Sequence, residues 1–215
     1  MQMHIVSSLH VLKKSDSLLK EYIRDPNKNI VFIDFGCGPL TSGVALAGYY
    51  RSLDKDKPLD FHYIGIDNSE AMICKATEIS QLPAWRGCTF KFWESYEDHV
   101  YILNLIASYL SSGKYQDYLI VLNYSYLFAS STLDVSNLAE LVKKILDNNK
   151  SYKICLLYQD PVFLKSKWDK FKSSFPKLCT VVAQEEKLRY RNTTGKIREI
   201  EFTPIQLYFE TIVRK

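Results

Sequence analysis

Asp34, Phe35, Gly36, Cys37, Gly38, Pro39 and Leu40 place two glycines directly after a carboxylate that ends the apolar run Ile30 to Ile33. Glycines at such a point let the backbone turn sharply and pass close to a ligand. In a doubly wound sheet the carboxyl end of a strand is where the ligand crevice opens. A second apolar run, Phe61 to Ile66, ends in Asp67, which sets a carboxylate beside the same crevice. That carboxylate is suited to accept both hydroxyls of a ribose in charge-assisted hydrogen bonds. Two such signals in consecutive units favour a nucleoside ligand. The dinucleotide fingerprint asks for a third glycine where Thr41 stands, and no Lys followed by Ser or Thr closes a phosphate loop. A nucleoside without phosphates fits these residues best.

Other residues with chemical potential follow later strands. Trp93, Glu94, Ser95 and Tyr96 end the third, and Asn123, Tyr124, Ser125 and Tyr126 follow the fourth. Tyr158, Gln159, Asp160 and Pro161 close the fifth, with Asp160 either a general base or a helix cap. His62 lies inside an apolar strand and reads as a core residue; His4, His10 and His99 lie on helices without a companion ligand, and none is assigned chemistry. No close Cys/Cys or Cys/His pair suggests a metal.

The elements that must hold these residues alternate in type. After an amphipathic helical segment over the first 24 residues, broken near Ser15 to Ser17, strands are expected at Ile30 to Ile33, Phe61 to Ile66, Cys88 to Trp93, Tyr118 to Leu122 and Lys153 to Tyr158. Helices are expected at Ser42 to Leu53, Ser69 to Gln81, Glu97 to Ser112, Leu138 to Leu146 and Val162 to Phe175. Alternation of this kind predicts an α/β, doubly wound, mostly parallel sheet covered on both faces. The tail breaks the rhythm with strand-like Val181 to Arg191, Lys196 to Phe202 and Ile205 to Val213, so antiparallel C-terminal strands should finish the sheet. The expected organisation is a single domain with a helical extension over 1–28, an α/β core over 29–178 and antiparallel strands over 179–215.

Composition agrees with one globular core: 215 residues, 47% hydrophobic, 24% charged, net charge +4. No run is long enough to span a bilayer, the amino terminus has no signal-peptide pattern, and the five cysteines are odd in number and dispersed. A soluble cytoplasmic protein with reduced thiols is expected.

The motifs at Asp34 to Leu40 and at Gly65, Ile66, Asp67, Asn68, Ser69, Glu70, Ala71, Met72 resemble those of the class I S-adenosylmethionine-dependent methyltransferases, over roughly Ile30 to Tyr158. Leu40 stands where the family often has a third glycine. The resemblance implies a seven-stranded-type, Rossmann-like sheet with a reversed last strand, and S-adenosylmethionine as cofactor. It implies that Gly36, Cys37 and Gly38 pass under the methionine moiety while Asp34 orients its ammonium. Asp67 would hold the ribose, Asn68 and Met72 would flank ribose and adenine, and Glu94, Ser95 and Tyr124 would complete the cofactor site. On the acceptor side it implies Asn123 and Tyr126, similar to the Asn-Pro-Pro-aromatic pattern of amine methylation without its prolines, with Asp160 as a further catalytic candidate. The acceptor is left open among RNA, a small molecule and a protein, as is the alternative of a non-catalytic S-adenosylmethionine-binding partner protein. RNA has one pointer. Lys187, Arg189 and Arg191 alternate before a turn, Lys196 and Arg198 follow it, and pairing of Arg191 with Lys196 would put all five cations on one face of a hairpin.

Overall fold

A computed structural model of the chain describes residues 2–160, 166–175, 178–181 and 186–209. Two helices come first, α1 (Gln2–Lys14) and α2 (Asp16–Arg24), parted where the Ser15 hydroxyl turns back to the Val11 carbonyl at 3.0 Å. Then strands and helices alternate: β1 (Lys28–Phe35), α3 (Thr41–Leu53), β2 (His62–Ile66), α4 (Glu70–Ser80), β3 (Thr89–Trp93), α5 (His99–Leu110), β4 (Asp117–Ser125), α6 (Val135–Asn148), β5 (Lys153–Asp160) and α7 (Ser166–Ser173). The tail adds β6 (Leu178–Val181), β7 (Glu186–Arg191) and β8 (Ile197–Phe209). The first four residues of the helix expected from Val162 lie outside the described residues.

Seven strands lie in the order β3-β2-β1-β4-β5-β8-β6, the first five parallel and β8 antiparallel to both its neighbours. Alternation along each strand divides the core in two. Ile30, Phe32, Tyr63, Leu119, Val121 and Leu157 face α1, α2 and α3, whereas Val31, Ile33, Ile64, Ile120, Leu122 and Leu156 face α5, α6 and α7. No helix among the described residues is long and apolar enough to cross a membrane.

Two expectations are corrected in the tail. The strands read as Lys196 to Phe202 and Ile205 to Val213 form one strand, β8, which runs through Pro204. The strand pairs with β7 as far as Phe202, with β5 from Thr203, and with β6 from Gln206. Opposite Pro204, the Gln159 carbonyl points the other way, accepting the Tyr126 N–H at 2.8 Å. Proline thus falls in the gap between the β7 and β6 ladders, where its missing N–H is not needed.

The hairpin register is the second correction. Arg191 pairs with Ile197, not Lys196, because the Asn192 side chain gathers the N–H groups of Thr194 and Lys196 into a longer turn. A one-residue shift moves a strand's side chains to the opposite face. Arg198 therefore stands opposite Tyr190, while Arg189 stands opposite Glu199 and pairs with it at 2.9 Å. The five cations do not share one face.

Helix α3 gives a paired test of packing. A Cβ on Gly43 would sit 2.6 Å from Leu40 Cδ1 and 3.2 Å from Tyr63 Cε2, whereas a Cβ on Gly48 meets nothing within 4 Å. Gly48→Ala is expected to stabilise by about 0.5 to 1 kcal/mol through helix propensity. Gly43→Ala should reverse that sign and destabilise by about 1 to 3 kcal/mol through overpacking, read as opposite shifts in urea midpoint.

Candidate functional site

The turn after β1 is hooked onto the neighbouring strand. Both Gly36 N–H and Cys37 N–H donate to the Ile66 carbonyl, at 2.7 and 3.1 Å. Gly36 has φ 74° and Gly38 φ 52°, the left-handed region that glycine enters without strain. Asp67 clamps the turn from the end of β2: one carboxylate oxygen accepts from Gly38 N–H at 2.9 Å and the other from Ser69 N–H at 2.9 Å. Above these turns lies a cavity of about 500 Å³, a size typical of small-molecule sites. Asp67, Glu94 and Glu97 line it, and among the described residues no Lys or Arg does.

Nine of the thirteen residues given a cofactor or catalytic role by the resemblance line this cavity: Gly36, Cys37, Gly38, Asp67, Asn68, Met72, Glu94, Ser95 and Tyr126. Four do not. β4 runs past Leu122 to Ser125, so Asn123 is a strand residue opposite Asp34, buried toward α3. Its amide donates to Asp34 Oδ1 at 2.6 Å and to the hydroxyls of Ser42 and Ser125, both at 3.0 Å. Asp34 is fully buried, its other oxygen taken by the Tyr63 hydroxyl. Burial pushes its carboxyl up to about 6 against the pull of those hydrogen bonds. Asp34 and Asn123 therefore brace the turn from behind and do not line the cavity. Tyr124 faces the opposite half of the core, stacked on Phe35 with ring centroids 5.0 Å apart, and does not line the cavity. Asp160, also fully buried, lies behind the cavity wall.

Searches with the sequence match no family model and no curated protein. Among solved structures, the precorrin-6y C5,15-methyltransferase of Geobacter metallireducens is similar at TM-score 0.50 and 9% identity, covering 91% of this chain and 87% of that one. The chain has the fold of the class I S-adenosylmethionine-dependent methyltransferases. Two further solved structures are similar: the YcgJ protein of Bacillus subtilis (TM-score 0.48, 14% identity, 94% of this chain and 97% of that one) and an S-adenosylmethionine-dependent methyltransferase of Methanosarcina mazei (TM-score 0.45, 11% identity, 89% and 96%).

In this methyltransferase fold the position of the absent third glycine acquires a physical meaning. Leu40 has φ 67°, left-handed backbone that costs a branched residue about 1 kcal/mol. Its side chain is fully buried and lies over Gly43, so apolar burial offsets the strain. The sequence did not reveal that α1 reaches the site: His4 lines the cavity. Its ring meets Tyr126 edge-on, with centroids 4.0 Å apart and planes at 85°. The signal that would have found it is polar: Ser7 and Ser8 interrupt the apolar face of α1 and are buried, with Ser8 Oγ accepting from Gln159 Nε2 at 2.6 Å.

Proposed function

We propose that this chain transfers a methyl group from S-adenosylmethionine to an acceptor by direct displacement, in the cytosol. The observation that carries this reading is the Asp67 clamp on the glycine turn beside a cavity that holds carboxylates and, among the described residues, no Lys or Arg. That donor set fits a cationic, phosphate-free nucleoside and would repel a pyrophosphate. Bound there, S-adenosylmethionine supplies a sulfonium methyl, whose bond to sulfur breaks as the acceptor bond to carbon forms.

The chain's own contribution is positioning and exclusion of water. Gly36 and Gly38 keep the turn free of side chains; a Cβ on Gly36 would press on Leu127 at 3.2 Å. Asp67, already fixed by two N–H donors, has lone pairs left for ribose hydroxyls. Asn68, Met72, Glu94 and Ser95 are assigned to the nucleoside end, Tyr126 to the acceptor end. Arg189 pairs with Glu199 on the hairpin, and among the described residues no Lys or Arg lines the cavity to hold a phosphate. Both features favour a small-molecule or protein acceptor over RNA.

Saturating S-adenosylmethionine or its demethylated product is expected to raise the melting temperature. At one hundred times the dissociation constant, linkage gives about 2.7 kcal/mol, which for a chain of this size is about 5 to 10 °C. No shift with either, beside a shift with NAD, would overturn the reading.

A further inference from the structure

The strand order places β3, with Glu94 just beyond it, on one side of the glycine turn and β4 and β5 on the other. On that second side α1 is pinned across the strand ends. Gln159 Nε2 donates both to Ser8 Oγ at 2.6 Å and to Ser125 Oγ at 3.0 Å, and the latter hydroxyl accepts from Asn123. One turn earlier on α1, His4 is thereby held at the cavity wall. Its neighbour Tyr126 is a second sign of a built site. This bulky residue sits at φ 62°, held by its N–H on the Gln159 carbonyl and by its hydroxyl 3.3 Å from Ser7 Oγ. Backbone strain of this kind persists only where the surroundings over-determine it.

Resting on the methyl-transfer reading, we propose that the imidazole of His4 faces the reacting end of the site and takes the proton that the acceptor loses on methylation. The acceptor is then a nucleophile bearing an N–H, O–H or S–H. Its lone pair forms the bond to the methyl carbon, the carbon–sulfur pair stays on sulfur, and its proton passes to the free imidazole nitrogen and from there to solvent. Burial first, and the terminal ammonium second, hold His4 below its ordinary value of 6.5, so it is neutral and ready to accept at neutral pH. The groups facing this corner are the Tyr126 phenol, on which Asp160 of β5 and Tyr190 of β7 act, and Ser7 on α1 itself. Asp67, Glu94 and Glu97 share the cavity.

The test needs no acceptor, because a protonated His4 would repel a sulfonium and ignore a thioether. Calorimetry with S-adenosylmethionine and with S-adenosylhomocysteine should give comparable affinities at about pH 8. Down to about pH 5 the sulfonium ligand should lose about fivefold relative to the thioether, and His4→Gln should abolish part or all of that loss. The variant's retained binding of the thioether at about pH 8 reports that it is folded. In parallel, the C2 proton of His4 should titrate at lower pH with the sulfonium ligand bound than with the thioether bound. Binding of neither ligand overturns the methyl-transfer reading itself. Binding of both, with an unchanged relative loss in His4→Gln or no displacement of the His4 titration, overturns the role of His4 alone.

Discussion

Asp67→Ala is expected to weaken S-adenosylmethionine binding by about thirtyfold to a thousandfold, the equivalent of about 2 to 4 kcal/mol. Two losses combine. The ribose loses a charge-assisted acceptor, and the glycine turn loses the clamp formed by Gly38 N–H and Ser69 N–H on the two carboxylate oxygens. Asp67→Asn keeps one oxygen and the shape of the group, so its loss should fall between alanine and wild type. The fold should survive both changes, because the strands on either side are tied by their own ladders. Calorimetry is the measurement, and a dissociation constant for the alanine variant within about threefold of wild type would remove Asp67 from the ligand set.

The parts of the fold that were legible in the sequence are those whose signal is local. Runs such as Ile30 to Ile33 are apolar throughout because the strand is covered on both faces, and the glycines after β1 announce a turn that no other residue makes without strain. Strand ends were less legible because polar residues there have two meanings. Asn123 after Leu122 looks like the start of a loop, yet β4 continues through it, and its amide is spent on Asp34, a residue 89 positions away. Long-range pairings of that kind leave no local periodicity. The same limit hid α1: the reach of His4 into the cavity depends on Gln159 joining Ser8 across a sequence separation of 151. In the hairpin, the side-chain acceptor of Asn192 set the turn length and hence the face of Arg198, which alternation alone could not fix.

Asp160→Asn is expected to stabilise the protein above neutral pH. The carboxyl ends β5 fully buried, with neither oxygen in hydrogen-bond geometry with a partner among the described residues. Burial pushes it up to about 7, opposed by the nearby amides of Phe128 and Ala129 and the Tyr158 hydroxyl. A folded-state value above the unfolded one means that the fold prefers the protonated acid. The stability tied to that proton is fully present below about pH 4 and is lost as pH rises through about 7. Near pH 8 the buried charge therefore costs about 2 to 4 kcal/mol, and asparagine, a neutral isostere, avoids it. The advantage of the variant in urea unfolding should be largest near pH 8 and shrink steadily toward pH 5. Because Asp160 lies behind the cavity wall, S-adenosylmethionine affinity should not change with it. A difference in stability that is flat with pH would show that Asp160 is protonated, or solvated, alike in both states, and a loss near pH 8 would show that its charge is being held by a partner the fold depends on.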